Sequence, residues 1–402
     1  MGGVKRHKQG AENQLKRQPN NEKAPTLLAQ GQSFGSAVSQ NILDSDVYYT
    51  AESMSCQHTT DILKWQDSEK ELEKKFNPKK RDSLLLADSY ERLAREKKAE
   101  RVRSCGDFLE FAHEISPDGV VSESGKLHHA NFCRDRLCPM CAWRRSYKIF
   151  AQVSQIMEKI GTQYRYLFVT LTVPNVTGLE LPGAIDDLMT AWKKFFRYRR
   201  LGFIKGFFRV LEITRNSNRK SKSYGTYHPH FHVIVAVNPS YFKSKEYLKR
   251  DDWLKLWQKA TGDSTITQVD VRTVKAKDGE ALRDETAETL AKSLSAAVAE
   301  VAKYPVKSGD FLGIPDLTER DAVIDTLAGA LQSRRLTALG GVFKDVFESL
   351  RLDDAEDGDL VHINQTINPA IALLIVRYGW TAGVYKMTSM RVKEPTQDDN
   401  TE

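Results

Sequence analysis

The chain has 402 residues, with 60 Lys or Arg against 53 Asp or Glu and a formal net charge of +7 at neutral pH. That length has room for two or three domains, and the mild basic excess is concentrated in short runs. No apolar run is long enough for a membrane span, there is no apolar signal-peptide core, and the five cysteines are mostly clustered, so a cytoplasmic protein with a metal site is expected rather than a membrane partner or a disulfide framework.

In chain order, residues 1–50 are rich in Gly, Gln, Asn and Lys and read as a disordered basic tail. Residues 51–103 are a charged helical segment, with Leu84, Leu85, Leu86, Tyr90 and Leu93 at helical spacing and a break near Asn77-Pro78. Residues 104–150 hold four of the five cysteines, in a small module. Residues 155–312 alternate strand and helix patterns. The strands read as 164–173, 206–214, 228–237 and 265–274, and the helices as 182–200, 245–259 and an Ala-rich 283–303. Residues 313–392 form a further mixed segment whose role the residues do not assign, and 393–402 are an acidic tail.

The order β-α-β-β-α-β-α begins with a split βαβ arrangement and predicts an α+β fold with an antiparallel sheet. Periodicity alone leaves ferredoxin-like and RNA-recognition-like sheets equally open.

The densest chemical signal is Tyr227-His228-Pro229-His230-Phe231-His232-Val233, which holds three of the nine histidines. Side chains alternate along a strand, so His228, His230 and His232 share one face while Phe231, Val233 and Val235 face a core. Adjacent imidazoles on one face suit a divalent ion. Two imidazoles need a third ligand, and Glu212 on the strand that pairs with the histidine strand is the candidate. Its neighbours Val210 and Phe208 are apolar, so an isolated carboxylate there is costly unless paired or metal-bound; the other reading is a salt bridge to a nearby Arg. Two nitrogens and a carboxylate suit Mn²⁺, with Mg²⁺ as the alternative, and leave positions open for a phosphate. His228 is either an extra ligand or a phosphate contact. Thr170 and Thr172 share a face of the first strand, where they would orient a ligand, contact DNA, or simply meet solvent.

A second signal is Glu300-Val301-Ala302-Lys303-Tyr304-Pro305-Val306-Lys307. Glu300 and Tyr304 are four apart at the end of a helical pattern and would share a face, although Pro305 disfavours helical geometry at Tyr304. A metal site with such a Tyr suggests phenol attack on a phosphodiester. Lys303 and Lys307 would favour the phenolate.

A third signal is Cys133-x4-Cys138-x2-Cys141, which has the spacing of a structural Zn²⁺ site. Cys105 is the chosen fourth ligand, with His128 and His129 as alternatives and Cys56 spare. Arg134, Arg136, Arg144, Arg145 and Lys148 surround this motif, and basic runs occur at 92–103 and 193–200, the second interleaved with aromatics. They read as a nucleic-acid surface or as solvated helix faces.

Taken in order, 168–175 (FVTLTVPN), 228–233 (HPHFHV), 300–307 (EVAKYPVK) and the upstream 131–141 (NFCRDRLCPMC) resemble the rolling-circle replication initiator (Rep) proteins of small bacterial plasmids, of the class with one Tyr and a Glu partner. That class belongs to the His-hydrophobic-His endonuclease superfamily, and the resemblance covers roughly residues 100–345.

The resemblance implies a ferredoxin-like antiparallel palm at 155–312 as the catalytic endonuclease domain, with the zinc module and flanking helices beside it. It maps the two superfamily histidines to His230 and His232, an acidic ligand to Glu212, the nucleophile to Tyr304, and hydrolysis at termination to Glu300. The implied activity is origin-specific nicking of one strand through a 5′-phosphotyrosyl intermediate. The implied partners are plasmid origin DNA, double- and single-stranded, with a host helicase and DNA polymerase; a homodimer stays open. Rival readings are a relaxase or single-strand transposase, and a non-catalytic zinc-containing nucleic-acid-binding protein. A relaxase usually places its nucleophile ahead of the histidines, and the non-catalytic class has no use for the His cluster or the Glu-Tyr pair.

Overall fold

The computed structural model describes residues 49–50, 69–274, 298–299, 301–302, 305–363, 367–368 and 370–395. The strands are β1 Tyr49–Thr50, β2 Phe108–Glu114, β3 Lys126–Ala130, β4 Arg165–Thr172, β5 Ile204–Arg215, β6 Tyr227–Val237, β7 Val269–Thr273, β8 Thr337–Gly341, β9 Leu373–Thr381 and β10 Val384–Lys393. The helices are α1 Asn77–Arg92, α2 Glu96–Arg103, α3 Pro139–Ile160, α4 Leu181–Phe195, α5 Arg250–Thr261, α6 Ser308–Leu312, α7 Leu317–Ala330 and α8 Val342–Ser349. The architecture is α+β, with two antiparallel five-stranded sheets ordered β1-β10-β9-β2-β3 and β7-β4-β6-β5-β8.

The second sheet holds all four strands expected of the middle region. Their spatial order is fourth, first, third, second, because β5 and β6 form a hairpin while α4 and α5 cross over between strands. Strand alternation splits its side chains between two cores. One face presents Leu167, Val169, Leu171, Leu211, Phe231 and Val233 to Ile185, Leu188, Trp192 and Phe195 of α4 and to Trp253 and Trp257 of α5. Trp257 also donates its indole N–H to the Thr172 carbonyl at 2.7 Å, which satisfies the ring's one polar atom inside the core. The opposite face presents Tyr166, Phe168, Phe208, Val210, Ile234 and Ala236 to Ile149, Val153 and Ile156 of α3 and to Phe343 of α8, with Val298 and Val301 in the same cluster.

Element ends differ from expectation for local reasons. The helix expected from 245 begins at Arg250, because the Asp252 carboxylate accepts the Lys249 backbone N–H at 2.9 Å and sets the cap there. The helix expected to run to 200 stops at Phe195 and continues only as a 3-10 turn at Arg199–Leu201. The strand expected over 265–274 is limited to β7. The charged segment is helical over 69–75, breaks at Phe76, restarts as α1 with Pro78 in its first turn, and breaks again where Ala94 turns left-handed at φ +53°. Most of the Ala-rich helix expected at 283–303 lies outside the described residues, as do most of 1–68, including Cys56, and the acidic tail beyond 395.

The segment 313–392 is divided between the two sheets. β8 extends the second sheet along β5, and β9 and β10 complete the first. β8 reads Thr-Ala-Leu-Gly-Gly, with little strand character of its own. The close approach of β8 to β5 requires glycine on both strands: a Cβ on Gly340 of β8 would lie 2.3 Å from the Phe207 ring, and one on Gly206 of β5 would lie 2.8 Å from the Gly340 carbonyl.

Candidate active site

The register of the second sheet builds the site. Pairing of β5 with β6 sets Glu212 directly opposite His230, and pairing of β4 with β6 sets Thr170 opposite His232. All four lie on the face covered lower down by α3 and α8, at the end where that apolar cover stops. His232 Nε2 is 2.9 Å from Glu212 Oε2, His230 Nε2 is 3.7 Å from the same oxygen, and the two Nε2 atoms are 3.2 Å apart. An ion about 2.1 Å from each ligand would separate neighbouring donors by about 3.0 Å in octahedral or about 3.4 Å in tetrahedral geometry. The three observed separations span those values, so the donor set fits a divalent ion without rearrangement.

The second nitrogen of each ring is held. His230 Nδ1 donates to the His228 carbonyl at 3.0 Å, and His232 Nδ1 faces Thr170 Oγ1 at 3.2 Å. With an ion bound, N–H on both Nδ1 atoms would leave both Nε2 lone pairs to hold it beside the carboxylate; without one, an Nε2 N–H on each ring can donate to Glu212 instead. Thr170 therefore holds the His232 ring, whereas Thr172 anchors a loop by donating to the Gln268 carbonyl at 3.0 Å. Glu212 and His230 are buried. Burial pushes the Glu212 carboxyl up, but hydrogen bonds and charge from His230 and His232 outweigh it and hold Glu212 well below the usual carboxylate range. The expected alternative, a Glu212–Arg salt bridge, is not formed among the described residues.

His228 stays outside the triad. Its ring lies 5.1 Å from that of His230, and burial, with the His230 imidazole second, lowers it below the ordinary histidine range against a hydrogen bond to Val173. Glu300, Lys303 and Tyr304 lie outside the described residues, but the segment that follows them is placed. Beyond Val210 the outer edge of β5 is no longer taken by β8; instead Leu211 N–H donates to the Leu336 carbonyl and Ile213 N–H to the Pro305 carbonyl, each at 2.8 Å. Pro305, the residue after Tyr304, is thus bonded to the neighbour of Glu212. Lys307 is exposed and caps α6.

Sequence reasoning missed Asp310 in α6. Burial pushes its carboxyl up, Lys307 draws it down and Glu212 adds to the rise, so a second carboxyl lies within electrostatic reach of the triad. Its only sequence signal was its position six residues after Tyr304.

The four cysteines converge elsewhere. Cys105 comes from the end of α2, Cys133 from a loop, and Cys138 and Cys141 from the start of α3, where Pro139 occupies the first turn. Cys105–Cys141, Cys133–Cys141 and Cys105–Cys138 sulfurs are each 3.6 Å apart. That is far beyond a disulfide bond of about 2.05 Å and close to the edge of about 3.8 Å for a tetrahedron with metal–sulfur bonds of about 2.3 Å. Backbone N–H groups of Cys133, Arg134 and Asp135 point at the sulfurs of Cys105, Cys141 and Cys133 at 3.2–3.4 Å. His128 and His129, the alternative ligands, lie elsewhere: His129 packs its ring on Phe108 and neighbours Glu110, and His128 faces His362.

Three of the basic residues around the cysteines are internal struts. Arg144 is buried and donates to the Leu360 and Val361 carbonyls at 2.8 and 2.9 Å; burial brings its guanidinium down to about 10, still charged at neutral pH. Arg145 donates to the carbonyls of Glu356 and Asp135, and the Lys148 ammonium is held by Asp353 and the carbonyls of Asp354 and Asp359. Glu356 then joins the cysteine loop to the second sheet: it takes Arg136 at 2.7 Å and accepts from the backbone of Leu336 and Thr337, where β8 begins.

No solved structure matches this chain. Among curated proteins it is similar to "Protein rep" of Bacillus amyloliquefaciens, 38% identical over 301 residues that cover 71% of this chain and 85% of the relative. A "Protein rep" from a Bacillus species is 37% identical over 324 residues, 77% of this chain and all of the relative. One from Streptococcus pneumoniae is 35% identical over 314 residues, 74% and 89% of the two chains. A family model described as "Replication protein" matches residues 124–385, a stretch that includes three of the four clustered cysteines, the Glu212–His230–His232 triad and all the strands of the second sheet. The chain with this triad and this cysteine cluster belongs to the Rep family of replication proteins.

Proposed function

We propose that the protein initiates rolling-circle replication of a plasmid in the cytoplasm, nicking one strand at the origin and holding the 5′ end covalently. The observation that carries the proposal is the convergence of Glu212, His230 and His232 on one sheet face, with Pro305, the residue after Tyr304, bonded to the same strand as Glu212. The strand order of the second sheet supports reading it as a ferredoxin-like palm of the His-hydrophobic-His type.

Mn²⁺ or Mg²⁺ at the triad would neutralise charge on the scissile phosphate. Tyr304 supplies the attacking oxygen. Its phenol has an ordinary pKa of about 10, so the nearby positive charge, including that of Lys303 and Lys307, favours the phenolate. A bond forms from the Tyr304 oxygen to phosphorus, the bond to the 3′ oxygen breaks, and that oxygen takes a proton to become a 3′-hydroxyl. The products are a 5′-phosphotyrosyl link and a primer end for a host polymerase, with a host helicase opening the duplex. At termination Glu300 accepts a proton from water, which hydrolyses the phosphoester.

The test is incubation with supercoiled plasmid carrying its own origin, with Mn²⁺ added. A nick with protein on the 5′ end supports the proposal. DNA binding without any nick would favour a non-catalytic zinc protein, and strand transfer without origin specificity would favour a transposase.

Glu300→Gln separates the two steps. The first nick is expected to stay near wild type, while release of the 5′ end falls by roughly 10²–10⁴-fold, as expected for loss of a general base. Equal loss of both steps would give Glu300 a positioning role instead.

The cysteine cluster fits structural Zn²⁺. Protein purified without chelator is expected to carry one tightly held zinc by elemental analysis, and Cys138→Ser to lose it together with folding stability. A zinc-free, stable wild type would identify four buried thiols instead.

A further inference from the structure

Two basic stretches that are separate in sequence open on one cleft of about 380 Å³. Arg95, Lys98 and Arg101 form one wall, Arg134 and Arg136 of the cysteine loop form a second, and Gln332 and Ser333 after α7 contribute a third. The one carboxylate in the lining, Asp135, is already engaged: it is buried and accepts from Tyr90 at 3.2 Å, from the Leu137 N–H at 2.9 Å and from Lys98 at 3.2 Å. Arg95 pairs with Asp325 and Arg136 with Glu356. Five cations thus face three carboxylates, an excess of two positive charges. Arg134 gives one N–H to the Asp357 carbonyl at 3.1 Å and keeps the rest of its fork. Arg101 is exposed and has no ion-pair partner among the described residues.

The backbone is bent to make this cleft. Arg134 (φ +59°) and Ser333 (φ +55°) both line it, and Ala94 (φ +53°) directly precedes Arg95; these are three of the five non-glycine residues in left-handed conformation among the described residues. The turn at Arg134 also aims its N–H at Cys141 Sγ, so the cysteine cluster sets where the Arg134 and Arg136 side chains begin.

We propose that this cleft binds a backbone phosphate of duplex DNA, as a contact separate from the nicking triad. The inference rests on the reading of the protein as a DNA-nicking initiator. Guanidinium forks suit phosphodiester oxygens, and an excess of two charges matches one or two singly charged diesters. Among the described residues no aromatic ring lines the cleft, so they offer nothing for an unstacked base or a free nucleotide to stack on.

The test uses the full chain with Arg101→Ala and Gln332→Glu, neither of which belongs to the Glu212–His230–His232 triad. Binding to a fluorescein-labelled mixed-sequence duplex is titrated against salt with no divalent ion added, since phosphate contacts carry no sequence information. Arg101→Ala is expected to lower the slope of log K against log salt by about 0.9, the value for one lost phosphate contact, and Gln332→Glu to weaken binding most at low salt. Both should nick a single-stranded oligonucleotide carrying the origin site at the wild-type rate. Unchanged slopes in both variants would overturn the inference. So would stabilisation of wild type, but not of Arg101→Ala, by inorganic pyrophosphate with the duplex slope unchanged, because the cleft would then take a free anion. Failure of the wild type to nick supercoiled plasmid, with the slope change intact, would overturn the proposed function and leave the cleft standing.

Discussion

Replacing His232 with alanine is expected to reduce nicking by well over about 10²-fold at low Mn²⁺, with DNA binding retained. His232 Nε2 is the nitrogen nearest to Glu212, and its removal leaves a buried carboxylate with one remaining imidazole. His230→Ala and Glu212→Ala should have effects of the same order, since each removes one of three converging donors. The graded control is Thr170→Val. It keeps the ligand but removes the hydroxyl that faces Nδ1, and should weaken metal affinity by about 10–100-fold, the usual range for such outer partners. His228→Ala should leave metal affinity near wild type, because that ring lies outside the triad. Manganese titration of the nicking rate checks all five variants. Full activity of Glu212→Ala at low Mn²⁺ would move the third ligand elsewhere.

Tyr304→Phe removes one oxygen and is expected to lower nicking by on the order of 10⁴-fold or more, the scale of losing a nucleophile, and to abolish the covalent adduct. Duplex binding and thermal stability should not change, so a gel-shift assay beside the nicking assay separates lost chemistry from lost fold. If Tyr304→Phe still forms the adduct, Tyr241 and Tyr247 are the next candidates. Tyr241 is a weak one, since its hydroxyl is already engaged with the Leu248 backbone and its ring stacks on Phe203.

The site was legible where a short-period pattern carried it. Alternation along 228–237 placed the three histidines on one face, and the apolar neighbours of Glu212 marked it as a carboxylate in need of a partner. The hairpin of β5 and β6 then made those two facts one geometry. The cysteine spacing was legible for the same reason, and Cys105 was reachable because it is the nearest preceding cysteine in a helix-ending turn.

What escaped depended on distant partners. Nothing local in Arg144, Arg145 and Lys148 says that carbonyls about two hundred residues later will occupy them, so a basic run that reads as a DNA surface becomes a clasp on the loop at 353–361. β8 escaped because its glycines argue against a strand until Phe207 and Gly206 are seen pressing on them. Asp310 escaped because only the fold brings α6 back toward Glu212. The basic cleft escaped because its two stretches, each legible as basic in the sequence, meet only in the fold.

The most direct test of the central claim is to trap wild-type protein on origin DNA with Mn²⁺, digest both components and locate the linked residue by mass spectrometry. The account predicts a nucleotide 5′-phosphate on the peptide that contains Tyr304 and on no other. A link at another residue, or nicked DNA with free 5′-phosphate and no adduct at any time point, would contradict it.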